Sequence, residues 1–580
     1  MRKAYTVILT GLLVFILSKT GTAQTLAWAR KSGGTDIEQG RSLAVDAQGN
    51  VYTTGYFQGT VDFDPGAGTY NLTSAGQADI FVSKLDSSGN FIWAVQLGGS
   101  TYDAGFGIAV DVNGYVCLTG RFSGTADFDP GPAVFNLTAP SGYDGFVIKL
   151  NTANANLVWV KQFITSFIVD PHSITVDKLG NVITSGRFAG QADFDPGAGT
   201  LIFTSQGFFE DAFISKLDAS GNHVWARQLV SPVNGYSYAQ SVAVDGSGNI
   251  YTTGGFSDTI DFDPGPNVFN LVGEYFGDAF VYKLDKAGDF VWAKLLTGNG
   301  NDDGMSIALD ASSNVYTSGS FNATTDFDPD TGTFNLTSSA LGNFDSYISK
   351  LDSAGKFIWA KQIAATVGSM VFASSVTSDS SGNVYAIGGL LDSADFDPGP
   401  GTYYLSSGGQ SDIFISKLDN SGNFAWAVKM GATGSGFALG YDIDLDDAGN
   451  IHGTGYFQAS SDFDPGAGVL LLTASGSDDV FTLKLRDKDG GDITTGIYEN
   501  TANNGFSLYP NPTIGPFTIV SEKPFSNTLL NVRDVLGRLV YSNTYSSTGS
   551  VSLTLDGGAG IYLIELIDAD RRTCFKVMKN

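Results

Sequence analysis

Cysteine is almost absent from the 580 residues, Cys117 and Cys574 being the only two. They lie in what read as separate domains, so neither a disulfide framework nor a thiolate metal cage can be built. Histidine is equally scarce. His172, His223 and His452 fall in different repeats, which leaves no Ser-His-Asp, Cys-His or metal-spaced histidine set to draw. Basic charge is short as well: Lys and Arg number 32 against 59 Asp and Glu, a formal net charge of −27. Such a balance repels nucleic-acid phosphates and suits solubility, cation binding or basic partners. After Ser18 no run is long and apolar enough to span a bilayer, and no segment keeps a 3.6-residue period, so helices are not expected. An apolar content of 42% with 12% aromatics excludes wholesale disorder.

The start of the chain reads as a secretory signal. Arg2 and Lys3 precede an apolar run from Ala4 to Ser18, and Gly21-Thr22-Ala23 offers a small-residue cleavage site before Gln24. Residues 1–23 are therefore expected to be removed, and the mature protein to leave the cytoplasm.

What fills the chain is repetition. Asp-Phe-Asp-Pro begins at Asp62, Asp127, Asp193, Asp261, Asp326, Asp395 and Asp462, a period of roughly 67 residues, well above the usual rung of a solenoid. An Asp-x-x-(Gly/Ser)-Asn turn keeps the same phase from Asp46 to Asp446, and all seven tryptophans, Trp28 to Trp426, fall at one phase. Within a repeat, β-branched and aromatic runs such as Ser42–Val45, Val51–Phe57, Ile80–Leu85 and Phe91–Leu97 alternate with Gly, Asp and Asn turns. Four antiparallel strands per repeat, arranged radially, predict an all-β, seven-bladed β-propeller over residues 24–485. The phase of the ends predicts how it closes. Leu26 to Arg30 is a tryptophan strand without a repeat, and the seventh repeat lacks one. Trp28 should therefore share a sheet with Phe481, which removes the exposed edges of an open array.

The run Ser42-x-Ala44-Val45-Asp46-x-x-Gly49-Asn50-Val51-Tyr52-x-Thr54-Gly55, followed by Asp79-x-Phe81-x-x-Lys84-Leu85-Asp86, resembles the SBBP repeat of bacterial seven-bladed β-propellers. That resemblance implies a secreted or surface protein and no single activity. Residues 486–505 are polar, Gly-rich and read as a linker. Over residues 506–580 the repeat marks vanish, and short strands with Gly, Pro and Asn turns predict a small β-sandwich. Tyr509-Pro510-Asn511-Pro512, Val535-Leu536-Gly537-Arg538, Gly560-Ile561-Tyr562 and the basic end Lys576 to Lys579 resemble the type IX secretion C-terminal sorting domain of the Bacteroidetes lineage. The resemblance implies type IX machinery as a partner and the cell surface or medium as destination.

Strand alternation puts both tight turns of every repeat on one face of the disc and the variable connections on the other, where a binding surface is expected. The paired carboxylates Asp62 and Asp64, Asp127 and Asp129, Asp193 and Asp195, and Asp261 and Asp263 could begin Ca²⁺ sites. Equally, they could cap backbone amides while the Phe between them anchors the loop. No other cofactor is indicated. Asp79 and Lys84 recur in phase and read as a repeated structural ion pair. Around the channel mouth the connections carry Asp36, Glu38, Tyr102, Asp103, Asp170, His172, Tyr236, Tyr238, Asp302, Asp303 and Asp442, which could hold a sugar or a cation. A binding or adhesion scaffold for an unknown glycan or protein is the expected role. The alternatives are a polysaccharide-active enzyme, which needs two non-repeated acids in one pocket, and a purely structural surface protein.

Overall fold

A computed structural model describes residues 24–487, apart from 207–208, 340–342 and 433, and residues 506–579 with gaps at 510–515, 522–524, 526, 535–537, 555–559 and 568–571. The expected signal segment and nearly all of the expected linker lie outside the described residues. The chain divides into two compact units at Lys488 and Asp489, and among the described residues every regular element is a β-strand.

In the first unit each repeat forms one antiparallel sheet. The first sheet orders Glu38–Val45, Val51–Phe57, Asp79–Leu85 and Phe91–Gly99. Six further sheets follow the same order, starting from Ala104–Val110, Ile168–Val176, Ser237–Val244, Asp302–Leu309, Met370–Ser378 and Ala438–Leu445. The seventh takes its fourth strand from the chain start. Thr25–Gly34 runs antiparallel along Asp479–Arg486, with Trp28 opposite Lys484 and Lys31 opposite Phe481, so Trp28 and Phe481 share one sheet. The Trp28 indole meets the buried His452 ring edge-on at 6.0 Å.

The repeated turn is built from its own aspartate. Asp46 Oδ1 accepts the amides of Gln48 and Asn50 at 3.0 and 2.9 Å, while Oδ2 accepts Asn50 Nδ2 at 2.8 Å and the Tyr52 hydroxyl at 3.0 Å. Gly49 follows at φ 76°, a conformation that glycine adopts without strain. These turns also receive the tryptophans. Trp28 Nε1 donates to Ser87 O at 3.2 Å, Trp93 to Thr152 O at 3.1 Å and Trp225 to Lys286 O at 3.3 Å, each time in the following sheet.

The Asp-Phe-Asp-Pro segments were expected as loops but are hairpins that reach across to a neighbour. Thr60–Asp62 pairs with Asn71–Thr73 and also with Gly33 and Gly34 of the seventh sheet. Six of the seven segments extend the preceding sheet in this way. Three-residue strands are too short for periodicity to reveal. The exception follows Leu229, where Pro232 succeeds the outer strand and cannot donate to a ladder. The Phe of each segment is a core residue, Phe63 being fully buried against Phe57 and Phe81 at 5.5 and 5.0 Å.

The second unit holds a three-stranded sheet of Phe506–Tyr509, Pro516–Ser521 and Ser550–Thr554. Beside it lies a four-stranded sheet of Leu539–Tyr545, Thr528–Asp534, Gly560–Ile567 and Arg572–Lys579. Both contribute to one core that includes Phe517, Ile519, Leu530, Val551 and Ile564.

Trp28 is 7% exposed. Replacing it by alanine should cost about 3–5 kcal/mol, the range for emptying a buried tryptophan site. Urea unfolding of the full chain checks this, with Trp225→Ala as the internal standard. A shift for Trp28→Ala near zero would show that the first strand is dispensable.

Candidate functional site

Every inner strand carries the same irregularity at the same point. Pairing with the second strand skips Arg41, Phe106, His172, Gln240, Met305, Ser374 and Tyr441, one residue per sheet. A β-bulge leaves its extra residue outside the ladder and re-aims the side chain. All seven of these residues line one cavity of about 480 Å³. No two are alike, although the residues on either side of them are mostly small, Gly or Ala before and Ser after. Sequence reading reached His172 alone. The signal available was the skipped column itself, in which all seven repeats carry a different residue.

Just beyond each bulge the position is small. Ser42, Ser173, Ser241 and Ser306 accept amides of the next inner strand, from Ile108, Val242, Ile307 and Val376, at 3.1–3.3 Å. Gly107 stands in the second sheet, where a Cβ would meet Ile174 N at 3.2 Å. In the seventh sheet Asp442 replaces serine and spans both neighbours. It accepts Ser375 Oγ at 2.8 Å on one side, and Ser42 Oγ and Leu43 N at 2.8 and 2.9 Å on the other. Burial raises its carboxyl above the usual range.

Charge and aromatic rings gather on one side of the cavity. The Arg41 guanidinium lies 4.5 Å from the Tyr441 ring centre and 5.8 Å from that of Tyr56. Arg121 lies 4.7 Å from Tyr143, 5.5 Å from Phe106 and 5.9 Å from Tyr102, distances at which a cation is attracted to the ring face. Asp170 is the hub. Its Oδ2 receives Arg121 at 3.3 Å, Arg187 at 3.1 Å and His172 Nε2 at 3.3 Å. Burial alone would raise this carboxyl, but His172, Arg121 and Arg187 together hold it well below the usual carboxylate range. His172 Nδ1 bonds Gln240 at 2.8 Å, and Arg187 also pairs with Glu210 at 2.8 Å. A second cavity of about 430 Å³ meets the first at Arg187 and is lined by Phe167, Phe209, Glu210, Tyr236, Tyr238, Asn301 and Asp303. Tyr236 and Tyr238 stack at 6.0 Å and 6°, and the Tyr238 hydroxyl donates to Asp303.

The structure thus brings Tyr102, Asp170 and His172 to the first cavity and Tyr236, Tyr238 and Asp303 to the second. Asp442 also lines the first cavity, and the other mouth residues lie elsewhere. Asp36 is exposed on a connection. Glu38, Asp103 and Asp302 were expected at the rim but are 0–1% exposed. Glu38 accepts Gly34 N at 2.9 Å, Asp103 accepts Gly99 N at 2.8 Å and Asp302 accepts Thr325 Oγ1 at 2.9 Å. Period two explains the split for Asp103 and Asp302, each of which lies one residue from a position that faces a cavity, Tyr102 and Asp303. The repeated ion pair is corrected too. Asp79 and Lys84 stand five apart on one strand and so point to opposite faces. Asp79 takes Ala75 N at 2.8 Å and the Gln96 amide. Lysines at the Lys84 phase serve the turn aspartates instead, as in Lys149–Asp111 at 3.0 Å and Lys484–Asp446 at 2.8 Å. In the Asp-Phe-Asp-Pro segments, Asp62 Oδ1 accepts Asp64 N at 3.0 Å and Tyr70 N at 2.8 Å, and Asp64 Oδ1 accepts Gly66 N at 2.8 Å. Asp127, Asp129, Asp193, Asp195, Asp261 and Asp263 repeat this pattern. Among the described residues no three His, Cys, Asp or Glu side chains converge as a metal site.

Burial pushes both Glu38 and Asp302 up to about 8. A carboxyl whose folded value exceeds its unfolded one contributes stability that is full below about 4.5 and lost as pH rises through about 8. Wild-type stability should therefore fall between pH 5 and pH 8. Glu38→Gln should flatten that decline by up to about 1.4 kcal/mol per pH unit, read from urea midpoints across the range.

Comparison with known proteins places these units. Residues 507–580 match the secretion system C-terminal sorting domain, and residues 224–254 match the beta-propeller repeat named SBBP. The chain carries both, and the sorting domain, of the type IX kind, marks it as a secreted or cell-surface protein. An uncharacterized WD repeat-containing protein of Acanthamoeba polyphaga mimivirus is 25% identical over 75% of this chain and 36% of its own length. A regulatory protein of Caulobacter vibrioides, FlaEY, is 32% identical over 18% of this chain and 11% of its own. The chain thus spans about a third of the first relative's length and a ninth of the second's. Among solved structures, a chain of the mitotic checkpoint complex aligns over 83% of this chain and 98% of its own at 9% identity and TM-score 0.37. An acylaminoacyl peptidase of Pyrococcus horikoshii aligns over 86% and 59% at 11% and 0.36. At such scores these likenesses decide nothing further about this chain.

Proposed function

We propose that the seven sheets form a seven-bladed β-propeller closed by the first strand, and that this exported ring is a binding scaffold whose site is the central cavity. Closure is supported by the inner hydrogen bonds, which step from sheet to sheet and return from Asp442 to Leu43 at 2.9 Å, and by Trp28, which bonds the first sheet from within the seventh. The observation that carries the binding role is the set of seven different side chains delivered to one cavity by seven equivalent bulges. A purely structural ring needs no such difference. A polysaccharide-cleaving site needs a carboxyl free to exchange a proton with substrate; of the two that line this cavity, Asp170 is held ionised by Arg121 and Arg187, and Asp442 is engaged by four hydrogen bonds within the inner strands.

The test is binding of the purified full chain to arrays of surface glycans and proteins. Ser374→Trp, which fills the cavity from its uncharged side, should weaken any ligand by about tenfold or more, whereas Gln48→Trp on the turn face should not. Ligands indifferent to Ser374→Trp, or arrays on which nothing binds, would count against the reading.

A further inference from the structure

The two cavities differ in charge, and the difference has a direction. The first is lined by three arginines and two carboxylates, on a chain whose net charge is −27. One of those carboxylates, Asp442, is engaged by four hydrogen bonds. Arg41 forms no ion pair among the described residues, and its Nε is buried without a hydrogen-bond partner, as is that of Arg121. A guanidinium fork held between aromatic faces and free of a carboxylate is suited to receive one. The second cavity has the opposite polarity. Around the Tyr236–Tyr238 stack stand Glu210, Asp303 and Asn301, side chains that accept hydrogen bonds from hydroxyl groups. Arg187 belongs to both cavities, and its pairs with Asp170 and Glu210 form the step between them.

We propose that this site binds the end of an acidic oligosaccharide, with an anionic sugar in the arginine cavity and a neutral sugar on the adjoining tyrosine shelf. The inference rests on the cavity being the binding site. A flat aromatic face flanked by hydroxyl acceptors matches a sugar ring, which is apolar on one face and ringed by donors. An acidic peptide fits less well, because its second anionic residue would meet Glu210 and Asp303. The same two carboxylates select against a second acidic sugar. The ligand is therefore an acidic residue followed by a neutral one.

Calorimetric titration of the full chain at pH 7 tests this with four probes: an aldobiouronic acid (glucuronic acid linked to a neutral hexose), its methyl ester, digalacturonic acid, and glucuronic acid alone. The aldobiouronic acid should bind about tenfold or more tightly than its ester, since a charge-assisted pair is lost on esterification. Digalacturonic acid should bind less tightly than the aldobiouronic acid. Arg41→Gln should abolish the preference for acid over ester, and Tyr236→Ala should weaken the disaccharide while leaving glucuronic acid unchanged. Thermal melting verifies that each variant is folded, and Arg121→Gln, which should likewise weaken the preference for acid over ester, serves if Arg41→Gln does not fold. Equal binding of acid and ester, or an unchanged preference in Arg41→Gln, overturns the proposal. So does failure of the aldobiouronic acid to bind. If another ligand is still displaced by Ser374→Trp in that case, the cavity remains the binding site and only its ligand class is wrong.

Discussion

The hydrogen bond from an inner-strand amide to the serine of the preceding sheet is the contact on which the rest of the first unit depends. It forms because the bulge before it shifts the strand register by one residue and presents a small side chain sideways. A larger residue at that point would push neighbouring inner strands apart, as the 3.2 Å approach of a Gly107 Cβ to Ile174 N makes plain. β-Sheets twist, so the spacing at the inner edge governs how neighbouring faces meet farther out. The tryptophan bonds to the following turn and the hairpins laid on the preceding outer strand then lock a geometry that the inner contact has already set. No sheet completes its own edges. Most take an inner acceptor from the preceding sheet and a hairpin and a turn from the next, and the seventh takes its fourth strand from the far end of the chain.

The bulge has a second consequence. By spending one residue per strand on geometry alone, it creates a position that takes no part in the ladder and is free to vary. Structure and recognition are thereby separated by a single residue. Ser42 holds the spacing while Arg41 faces the cavity, and Ser173 and His172 divide the two roles in the same way. Asp442 is the charged member of the spacing column, lining the cavity and tying the sixth, seventh and first sheets together. Its burial makes charge costly there, and the four donors around it compensate that cost.

This separation also decides what could be read from the amino-acid sequence. Repeat length, strand order, the turns and the placement of Trp28 in one sheet with Phe481 were all legible, because each is enforced in every repeat and so leaves a periodic mark. The cavity was not, because a position freed from the ladder leaves no periodic mark. Arg41 escaped notice for that reason, and Arg121 and Arg187 because they sit within regular second strands, while Asp170 and His172 stood out only as polar residues in an irregular connection. Glu38, Asp103 and Asp302 misled in the opposite sense. They sit in the same connections, but strand alternation turns them inward to cap backbone amides, and one residue of register separates a rim carboxylate from a buried one. The hairpins were missed on a further ground: their partners lie in another repeat, and no local pattern reports a tertiary pairing.

Charge completes the argument for an oligosaccharide end over a continuous chain. The chain as a whole is acidic, with a net charge of −27, and at physiological salt such a field extends about 8 Å before it is screened. A polyanion lying across the surface would meet that field along its whole length, whereas a single acidic residue crosses it once and ends among the arginines. Inside, lower dielectric strengthens each guanidinium contact that the exterior would weaken. An acidic surface around a basic pocket therefore discriminates by how many charges a ligand carries and where they lie. A surface that attracted anions generally would lose that selectivity, so the overall acidity of the chain contributes to the specificity of the basic site within it.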